Sequence, residues 1–518
     1  MKNIKYTGLL FLSILIFSAC GDDYLDTKPT SSTSTATVFE TTDNAKMAIN
    51  GMARLMVNQY LSTQTHCGEG TIKFLHNEYL GENFTRPALA SGWYTVMNGT
   101  YIENNNSIYN YYPWYYYYML IGNANLFVSK IDEAEGSEAD KNFLKAQALT
   151  FRAYSYMQLV QFYCYRWDDS NNGASVTNLL DGLILRTEEN MGERDLPLVS
   201  SGEIYKQIYA DLDQAISLYE SSNAIKRENV WEPNINVAYA TYARTAITRK
   251  DYEKAETMAA KAREGFKLMS VDEYKAGFSM ANSEWIWGSY GGDDQTLYYY
   301  GFHSYMAYDA NTSINRSYPV CISKTLYDKI PATDIRTGLF LDPGSTTYSA
   351  TTGVVAAALA TQVRADHPTM LSSHSVAAYM NFKFSVNGSY GVGFIPHFRS
   401  SEMLLIEAEA KYFRNQEFGA QAALNELTRD SKRDPSYECT ATGAALLAEI
   451  KTYRAIELWG EGFDWMDKKR YSEPIVRVAF ADGGNFYSTT AITIPVGMYN
   501  KWTYVTPLIE TQNNQALK

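Results

Sequence analysis

Residues 237–266 read VAYATYARTAITRKDYEKAETMAAKAREGF and predict two short helices joined by a tight break. The small side chains recur at spacings of three and four, which is the period of one helical face. They are Ala240, Ala243 and Ala246 before the Lys250-Asp251 break, and Ala255, Ala259 and Ala262, led by Tyr252, after it. Small side chains let neighbouring helices approach closely, as in a tetratricopeptide unit. The stretch therefore predicts a helical hairpin that belongs to a stacked scaffold.

Other segments repeat this helical pattern. Residues 403–429 predict a second hairpin, whose apolar face is Leu405, Ala408 and Tyr412 on one helix and Ala420, Leu424 and Leu427 on the next. Helical periodicity also covers residues 38–60 with Asp43 as N-cap, residues 138–167, and residues 201–219 with Ser201 as N-cap. We predict a mostly α-helical fold built on tetratricopeptide-type hairpins.

Two long inserts interrupt these helices. Residues 61–113 and 271–398 are rich in Gly, Asn, Ser, Thr and Tyr and show little periodicity. Irregular segments of that length in a compact protein usually carry function. We therefore predict that both inserts form a variable, loop-rich ligand face. The supporting scaffold is then formed by residues 38–60, 114–270 and 399–470 of a domain that spans 38–518.

The N-terminal segment predicts export and lipid attachment. Residues 1–19 combine Lys2 and Lys5 with the apolar run GLLFLSILIFSA, and they lead directly into Cys20. A charged start, an apolar segment too short to span a bilayer and small residues before a cysteine are typical of a lipoprotein signal peptide. We predict that Cys20 becomes the acylated N-terminus; the alternative is a plain secretory signal with an incidental cysteine. Residues 20–37, which are Ser/Thr-rich, predict a flexible tether.

The composition is that of a secreted globular protein. Hydrophobic residues make up 46% of the 518 positions, which is ample for a large core. The formal net charge is −12 and no basic patch occurs, which argues against nucleic acid and anionic lipid headgroups as partners. After Cys20 the cysteines are Cys67, Cys164, Cys321 and Cys439, without CxxC spacing. We predict neither metal nor redox use for them, and their pairing stays open.

The first insert ends in a stretch rich in aromatic residues, residues 93–118, WYTVMNGTYIENNNSIYNYYPWYYYY. Eleven of these 26 residues are Trp or Tyr. A flat apolar face with a hydrogen-bonding edge suits a sugar ring better than it suits an ordinary core. From Trp114 onward the spacing becomes helical and predicts core, so the ligand candidates precede Pro113. These candidates are Trp93, Tyr94 and Tyr101, with Asn83, Arg86 and Asn98 as polar neighbours.

The second insert carries a matching stretch, residues 283–305, SEWIWGSYGGDDQTLYYYGFHSY. We predict that Trp287, Tyr290 and Tyr298 offer stacking faces and that Asp293 offers a polar group to the same ligand. An alternative is that Trp285 and Trp287 belong to a strand with one face in the core. Arg86 can equally be a solvated surface residue, and Asp293 can belong to an ordinary turn.

Evidence for metal binding or catalysis is weak in this sequence. Residues 168–173, DDSNNG, place Asp168, Ser170 and Asn172 at the alternating positions of a calcium loop, but the closing acidic position is Leu179. A plain polar turn is the favoured interpretation. The six histidines form no HExxH spacing, and no GxSxG elbow or phosphate loop occurs. We predict no cofactor and no enzymatic activity; the alternative is a glycosidase carboxylate pair among the 57 acidic residues.

Several segments together resemble the SusD/RagB family of outer-membrane nutrient-binding lipoproteins. They are DYLDTKP at 23–29 with Phe39 and residues 43–45, Phe151-Arg152-Ala153 with Leu159, RSSEMLLIEAEA at 399–410, RAIELWGEGF at 454–463 with Asp467 and Arg470, Ile494-Pro495 and Gln512-Asn513. Residues 21–23, GDD, are similar to a surface-export signal of outer-membrane lipoproteins. The resemblance spans nearly all of the chain after the signal peptide.

This resemblance implies an α-helical, cell-surface protein anchored to the outer membrane by lipid alone. Family members form a lid on a SusC-like TonB-dependent transporter, to which they deliver captured oligosaccharide. We expect a modest affinity, with a Kd of about 1 µM to 1 mM, because tight binding would hinder handover. Two alternatives remain: the same lid with a non-sugar cargo such as peptides, and a tetratricopeptide scaffold that docks a protein partner.

Overall fold

A computed structural model describes residues 35–518 except 61–62, 87–92, 171–172, 224, 293–300 and 389. The helices are α1 (Thr35–Val38), α2 (Thr42–Leu55), α3 (Gly68–Thr71), α4 (Trp93–Met97), α5 (Ile108–Lys130), α6 (Glu138–Tyr163), α7 (Ser201–Ser221), α8 (Ile235–Thr248), α9 (Tyr252–Ala262), α10 (Val271–Tyr274), α11 (Phe302–Met306), α12 (Ser313–Ser317), α13 (Lys324–Tyr327), α14 (Ala357–Asp366), α15 (Ser400–Phe413), α16 (Glu417–Asn425), α17 (Gly443–Glu457), α18 (Asp464–Tyr471) and α19 (Leu508–Asn513). A π-helical turn, Ile72–Glu78, continues α3, and another, Glu426–Asp430, continues α16. The fold is mostly α-helical, as the sequence predicts. No helix in these ranges is long and apolar enough to cross a membrane.

Short strands connect the helices in antiparallel pairs. They are β1 (Gln59–Tyr60), β2 (Thr63–Cys67), β3 (Phe84–Thr85), β4 (Gly182–Ile184), β5 (Leu198–Ser200), β6 (Trp285–Gly288), β7 (Cys321–Ile322), β8 (Pro396–Arg399), β9 (Ile475–Val476) and β10 (Thr493–Ile494). The pairs are β1 with β2, β3 with β7, β4 with β5, β6 with β8, and β9 with β10. The pair β3–β7 joins the two predicted inserts to each other, and β6–β8 joins two segments of the second insert immediately before α15.

Both predicted hairpins form. In the first, α8 and α9 meet at Lys250, whose φ of 62° reverses the chain before Asp251 caps α9 by accepting a hydrogen bond from the Lys254 N–H. In the second, α15 and α16 meet at Asn415, with a φ of 60°. Along the scaffold, α5, α6, α7, α8, α9, α15 and α16 pack in that order, each against the next. The spacing of small residues therefore predicts both hairpins correctly.

Two predicted helix starts are displaced by one or two residues. The N-cap of α2 is Thr41, which accepts a 3.2 Å hydrogen bond from the Asn44 N–H, and Asp43 lies inside the first turn. The N-cap of α7 is Ser200, which accepts from the Glu203 N–H at 3.2 Å, and Ser201 is the first helical residue. An N-cap needs extended backbone before the first turn, and neighbouring polar residues compete for that position.

Helix α5 begins at Ile108, before the break that Pro113 predicts. Proline cannot donate to the helical ladder, and helices bend where a group enters that ladder. The hydroxyl of Tyr163 enters it here: it accepts from the Trp114 N–H at 3.0 Å and donates to the Asn110 carbonyl oxygen at 2.5 Å. The hydroxyl thereby replaces the direct hydrogen bond between two successive turns. Helix α5 thus continues through Pro113, and its aromatic residues lie on one continuous helix.

The first insert is less irregular than the sequence predicts. Residues 68–78 form helix α3 and the π-helical turn, and all residues from 68 to 81 are buried. The enclosed polar groups include Glu69, which accepts from the hydroxyl of Tyr154 at 2.6 Å. Buried polar residues such as Glu69 interrupt the apolar pattern from which burial is predicted. Only the tertiary structure shows that their hydrogen bonds are satisfied.

A buried network of ion pairs lies where the second insert meets the C-terminal segments. Its centre is Glu457, at the end of α17. Its carboxylate accepts from the guanidinium groups of Arg433 at 3.0 and 3.1 Å, Arg336 at 3.0 Å and Arg399 at 3.2 Å. Burial raises the pKa of Glu457, but the three guanidinium groups outweigh it and lower the pKa well below its ordinary value. The carboxylate therefore stays ionised inside the protein.

The same network extends to three further residues. Arg399 also donates to Glu461 at 2.7 and 2.8 Å and to Glu284, which stands just before β6. Lys383 donates to Glu461 at 2.7 Å and to the Trp459 carbonyl oxygen at 2.8 Å. Charges held this deeply need such complementary partners, because each has lost its hydration. The network thus joins β6, β8 and the end of α17 in one arrangement.

Removing the central carboxylate should destabilise the fold strongly. We expect Glu457→Ala to lower the free energy of unfolding by about 3–5 kcal/mol, because three buried guanidinium groups lose a counter-charge. Chemical denaturation of the purified protein measures this change. Glu133→Ala is the control, since it removes an exposed partner of Lys130 at 3.0 Å and should cost less than about 1 kcal/mol. Similar losses in the two variants would contradict a stabilising role for the network.

Candidate functional site

The two predicted inserts contact each other through Arg86. Its side chain is buried, and it donates from Nε to the Tyr79 hydroxyl at 2.5 Å and from Nη2 to the Tyr305 carbonyl oxygen at 2.6 Å. A further hydrogen bond reaches the Tyr318 carbonyl oxygen. Strand β3 continues the contact by pairing Phe84 with Ile322. Arg86 is therefore a clamp between the inserts, and both the predicted ligand contact and the alternative of a solvated surface residue are wrong.

One exposed aromatic surface lies at this contact, and we call Trp93 and Tyr94 on α4 the aromatic ridge. Trp93 is half-buried and packs edge-to-face on Tyr79, with ring centres 5.5 Å apart, and on Tyr305, at 6.0 Å. Tyr94 is 46% exposed. Tyr101, in contrast, is buried and accepts a hydrogen bond from Tyr504 at 3.2 Å. Of the three predicted rings, the first two are thus available to a ligand.

Of the polar groups predicted to accompany these rings, Asn98 lies within the described residues and Asp293 does not. Asn98 follows α4, is half-buried and donates from Nδ2 to the Thr489 carbonyl oxygen at 3.0 Å. Its Oδ1 has no hydrogen-bond partner within the described residues. Asp293 and Tyr298 lie in 293–300, outside the described residues. This segment joins residue 292 to α11, whose Tyr305 touches Trp93.

The remaining aromatic candidates of the second insert lie elsewhere. Trp287 is 0% exposed: its ring packs on Tyr154 at 5.0 Å, and its N–H donates to the Trp231 carbonyl oxygen at 3.0 Å. The prediction of an exposed face at Trp287 is wrong, and the alternative of a buried strand is confirmed. Tyr290 packs edge-to-face on Trp231 at 5.1 Å, with the Arg54 guanidinium 5.0 Å from its ring centre. Neither ring joins the aromatic ridge.

Asn83 belongs to a different cavity, which we call the acidic pocket. Asn83 donates to both carboxylate oxygens of Asp464, at 2.6 and 2.7 Å. The cavity encloses about 230 Å³ and is also lined by Glu78, Glu82 and Lys468. One oxygen of Glu78 accepts from the N–H groups of residues 462 and 463, and the other has no partner among the described residues. Asn83 is therefore held by its own carboxylate partner.

Burial dominates the electrostatics of this pocket. It raises the pKa of Glu78 from its ordinary value of 4.5 to about 7. Burial, together with the nearby charges of Glu78 and Glu82, raises the pKa of Asp464 well above its ordinary range. Two carboxyl groups in one poorly hydrated site disfavour double ionisation. The pair therefore retains protons at pH values where exposed carboxyl groups have lost them.

A second aromatic surface is larger, and we call it the aromatic groove. It encloses about 720 Å³ between α5, the strand β4 and α19. Its aromatic residues are Tyr60, Tyr111, Trp114, Tyr115 and Tyr118, and its polar residues are Asn105, Asn106, Arg186, Glu510 and Asn513. Most ligand cavities enclose about 300–1,000 Å³ and combine apolar rings with a few polar groups. The groove has both properties.

The prediction that α5 is core from Trp114 onward is only partly correct. The stripe of Trp114, Tyr118, Ile121 and Asn125 is correctly predicted to pack inward, although Trp114 and Tyr118 also reach the groove. Tyr115, however, is 41% exposed. A second stripe carries the missed signal: Tyr111, Tyr115, Tyr118 and Gly122 recur at helical spacing, and all of them line the groove.

Contacts in the calcium candidate are those of a polar turn. Asp168 pairs with Lys250, and the Ser170 hydroxyl donates to the Trp167 carbonyl oxygen at 2.7 Å. The same hydroxyl accepts from the Gly173 N–H at 3.0 Å. Asn172 lies outside the described residues. The residues that the structure does describe contain no cluster of three or more metal-ligating side chains.

The cysteines that follow Cys20 are buried thiols. They are Cys67, Cys164, Cys321 and Cys439. Burial raises the pKa of the Cys67 and Cys164 thiols to about 12, so these thiols are protonated at neutral pH. Cys164 is a small buried side chain at the C-cap of α6.

Comparison with known families identifies the class of this fold. A family model described as starch-binding associating with outer membrane matches residues 23–247, and the SusD family model matches residues 339–516. Together these models cover most of the scaffold on both sides of the second insert, but not residues 248–270, which include α9. The chain belongs to the SusD/RagB family.

Individual relatives are distant. The SusD-like protein P38 of Formosa agariphila is 24% identical over 238 residues, which are 43% of this chain and 44% of that protein. This chain therefore aligns with less than half of that relative's length. A solved SusD-like carbohydrate binding protein from Bacteroides vulgatus is 24% identical, with a TM-score of 0.75 over 92% of this chain and 98% of its own. A SusD superfamily protein from Bacteroides thetaiotaomicron is 19% identical, with a TM-score of 0.71 over 92% and 99%. At these identities the solved structures establish the fold.

The acidic pocket generates a pH-dependent prediction. Because the folded pKa of Glu78 is raised, its contribution to stability is complete below pH 4.5 and is lost as the pH rises through about 7. We expect Glu78→Gln to remove this loss, since the amide oxygen keeps both backbone hydrogen bonds. The variant should have a higher Tm than the wild type at about pH 8, and the difference should shrink towards pH 4. Thermal unfolding followed by circular dichroism measures both.

Glu82→Gln provides the control for this experiment. Glu82 lines the same pocket but pairs with Lys468 at 2.7 Å, so its neutralisation should not raise the Tm at high pH. Equal changes in Tm in the two variants would show that the total negative charge of the pocket, and not the burial of Glu78, controls the pH dependence of stability.

Proposed function

We propose that this protein captures oligosaccharide at the outer-membrane surface and delivers it to a SusC-like TonB-dependent transporter. Membership of the SusD/RagB family supports this proposal, together with the description of the Bacteroides vulgatus relative as a carbohydrate binding protein. The observation that carries it is the aromatic ridge. Tyr94 is nearly half exposed on a helix that Trp93 fastens to both inserts.

The ridge is suited to a neutral ring with hydroxyl groups. A phenol or indole face packs against the CH face of a sugar, and the surrounding polar atoms bond its hydroxyl rim. Asn98 is half-buried one turn beyond Tyr94, where its N–H donates to the Tyr94 carbonyl oxygen at 2.9 Å. Trp93 is already ordered by Tyr79 and Tyr305, so binding would cost little side-chain entropy there. We propose Trp93, Tyr94 and Asn98 as ligand contacts, with Tyr298 and Asp293 contributing from the adjoining segment.

The role is binding without catalysis. A protein that passes its ligand on needs release as much as capture, and a Kd of about 1 µM to 1 mM meets both needs. Peptide cargo is the competing proposal. Peptide sites usually pair the backbone at a strand edge or hold charged termini. The ridge is helical, and Trp93, Tyr94 and Asn98 bear no charge, which favours sugar.

Anchoring by lipid completes the proposal. Cys20 would carry the acyl chains and residues 20–34 would act as the tether, and both lie outside the described residues. Residues 35–37, which the sequence assigns to the tether, form helix α1 with Val38. A flexible tether lets a rigid body move relative to a transporter while it stays attached. Lipid attachment at Cys20 would therefore keep the ligand-binding domain next to the transporter.

Truncation of the exposed ring should weaken glycan binding. We expect Tyr94→Ala to reduce the affinity for any bound oligosaccharide by about 1–3 kcal/mol, by analogy with the stacking of bases on aromatic side chains. Isothermal titration calorimetry against a panel of oligosaccharides measures the change. Phe418→Ala is the matched control, because that ring is 87% exposed on α16, outside the ridge, and the variant should bind normally. Unchanged binding in Tyr94→Ala would exclude the ridge as the contact.

Loss of the acylated residue should abolish membrane attachment. We expect Cys20→Ser to prevent incorporation of a labelled palmitate analogue and to release the protein from the membrane fraction. Gel fluorescence of the labelled protein and fractionation of cells measure these effects. Cys439→Ser is the control, since a buried cysteine is not a lipid attachment point and the label should persist. Label that persists in Cys20→Ser would contradict the lipoprotein assignment.

A further inference from the structure

We infer that the aromatic groove is a second carbohydrate-binding site, in which a sugar ring stacks on Tyr115 and a sugar oxygen accepts a hydrogen bond from the Trp114 indole. This inference rests on the proposed function, because it takes the same ligand class. It adds a site that shares no lining residue with the aromatic ridge.

The floor of the groove contains an unused donor. Trp114 is 5% exposed and is fixed by Tyr163 and Tyr118, whose ring centres lie 5.0 and 4.8 Å away. Within the described residues its indole N–H donates to no acceptor, and this nitrogen is not among the atoms sealed from solvent. A donor that a bound ligand seals from solvent needs a new partner, because an unpaired buried donor costs about 1–3 kcal/mol. A ligand oxygen in the groove would supply that partner.

The aromatic walls offer a flat face beside this donor. Tyr115 exposes 41% of its surface and is held edge-to-face by Tyr60, with ring centres 4.5 Å apart. Tyr118 donates its hydroxyl hydrogen to the Ile184 carbonyl oxygen at 2.7 Å, which leaves the ring fixed. Rings that are ordered before binding lose little entropy when a ligand arrives. The groove is therefore preorganised for stacking.

The rim distinguishes a sugar from an apolar partner. Asn105 and Asn106 lie at one end, and within the described residues their side-chain amides make no hydrogen bond. Arg186 lies on the strand side, held by the carbonyl oxygens of Glu193 at 2.8 Å and Arg194 at 2.9 Å. A lipid chain or an apolar helix would desolvate these groups without pairing them. Hydroxyl groups around a flat ring pair with such a rim.

The groove also remains open along its length. Gly122 on α5 leaves empty space where a side chain would project, and Ile509 on α19 is 67% exposed at the far wall. A larger residue at position 122 would narrow the channel between α5 and α19. The opening therefore extends along α5 from Tyr111 to Gly122, which accommodates an extended chain of sugar units.

The test compares variants at the two surfaces with the full-length protein in a detergent without a sugar headgroup. Malto-, xylo- and mannohexaose are titrated by calorimetry up to about 10 mM, tenfold above the weakest expected Kd of about 1 mM. The wild type should bind at least one of them at two sites per chain. Tyr115→Ala should weaken groove binding by roughly 5- to 150-fold. Trp114→Phe keeps a ring but removes the donor, and it should weaken groove binding by roughly 2- to 10-fold.

Each outcome decides between the two assignments. Loss of one site in Tyr115→Ala and of the other in Tyr94→Ala supports both surfaces. Binding that Tyr94→Ala reduces, while Tyr115→Ala and Trp114→Phe leave it unchanged, overturns the groove and preserves the proposed function. A wild type that binds none of the three probes overturns the groove proposal and argues against oligosaccharide capture. Circular dichroism of each variant shows whether lost binding reflects unfolding, and Trp114→Phe remains informative if Tyr115→Ala unfolds.

Discussion

Burial of charge around Glu457 is the constraint on which the rest of the structure depends. Three guanidinium groups converge on this one carboxylate, and Arg399 carries the network on to Glu461 and Glu284. Each charge is too poorly hydrated to remain there alone, so the segments that carry them must assemble together. These segments lie far apart in sequence, at β6, β8, and the ends of α16 and α17. The network therefore fixes the position of the second insert against the helical scaffold.

The fixed position of the second insert orders the exposed rings of the aromatic ridge. The second insert holds Tyr305, on which Trp93 packs, and its carbonyl oxygens accept the hydrogen bonds of Arg86. The aromatic ridge is thus supported by buried residues of both inserts. The groove is supported in the same way, since the Tyr163 hydroxyl carries α5 through Pro113 and keeps Tyr111 and Tyr115 on one helix. In both places, buried polar contacts position exposed rings.

The two surfaces differ from the acidic pocket in their chemistry. Ridge and groove combine rings with amide groups, and the groove also contains Arg186 and Glu510, a combination that suits a ligand with hydroxyl groups. The acidic pocket contains Glu78 and Asp464, whose raised pKa values follow from burial. Its main consequence is for stability, because the pair resists ionisation as the pH rises. The pocket that holds the most charge is therefore not the surface best suited to sugar.

The mostly helical class and both hairpins follow from the amino-acid sequence alone. Helical period and small side chains are local properties, and they survive in any tertiary context. Which rings face solvent does not follow in this way. Trp287 and Tyr94 both lie in aromatic-rich stretches of the sequence. In the structure, β8 and α6 cover Trp287, whereas Tyr94 stays 46% exposed. Likewise, Arg86 resembles a surface cation until its carbonyl partners, more than 200 residues away, are in place. Exposure depends on what long-range packing brings over a side chain, and no local pattern encodes that.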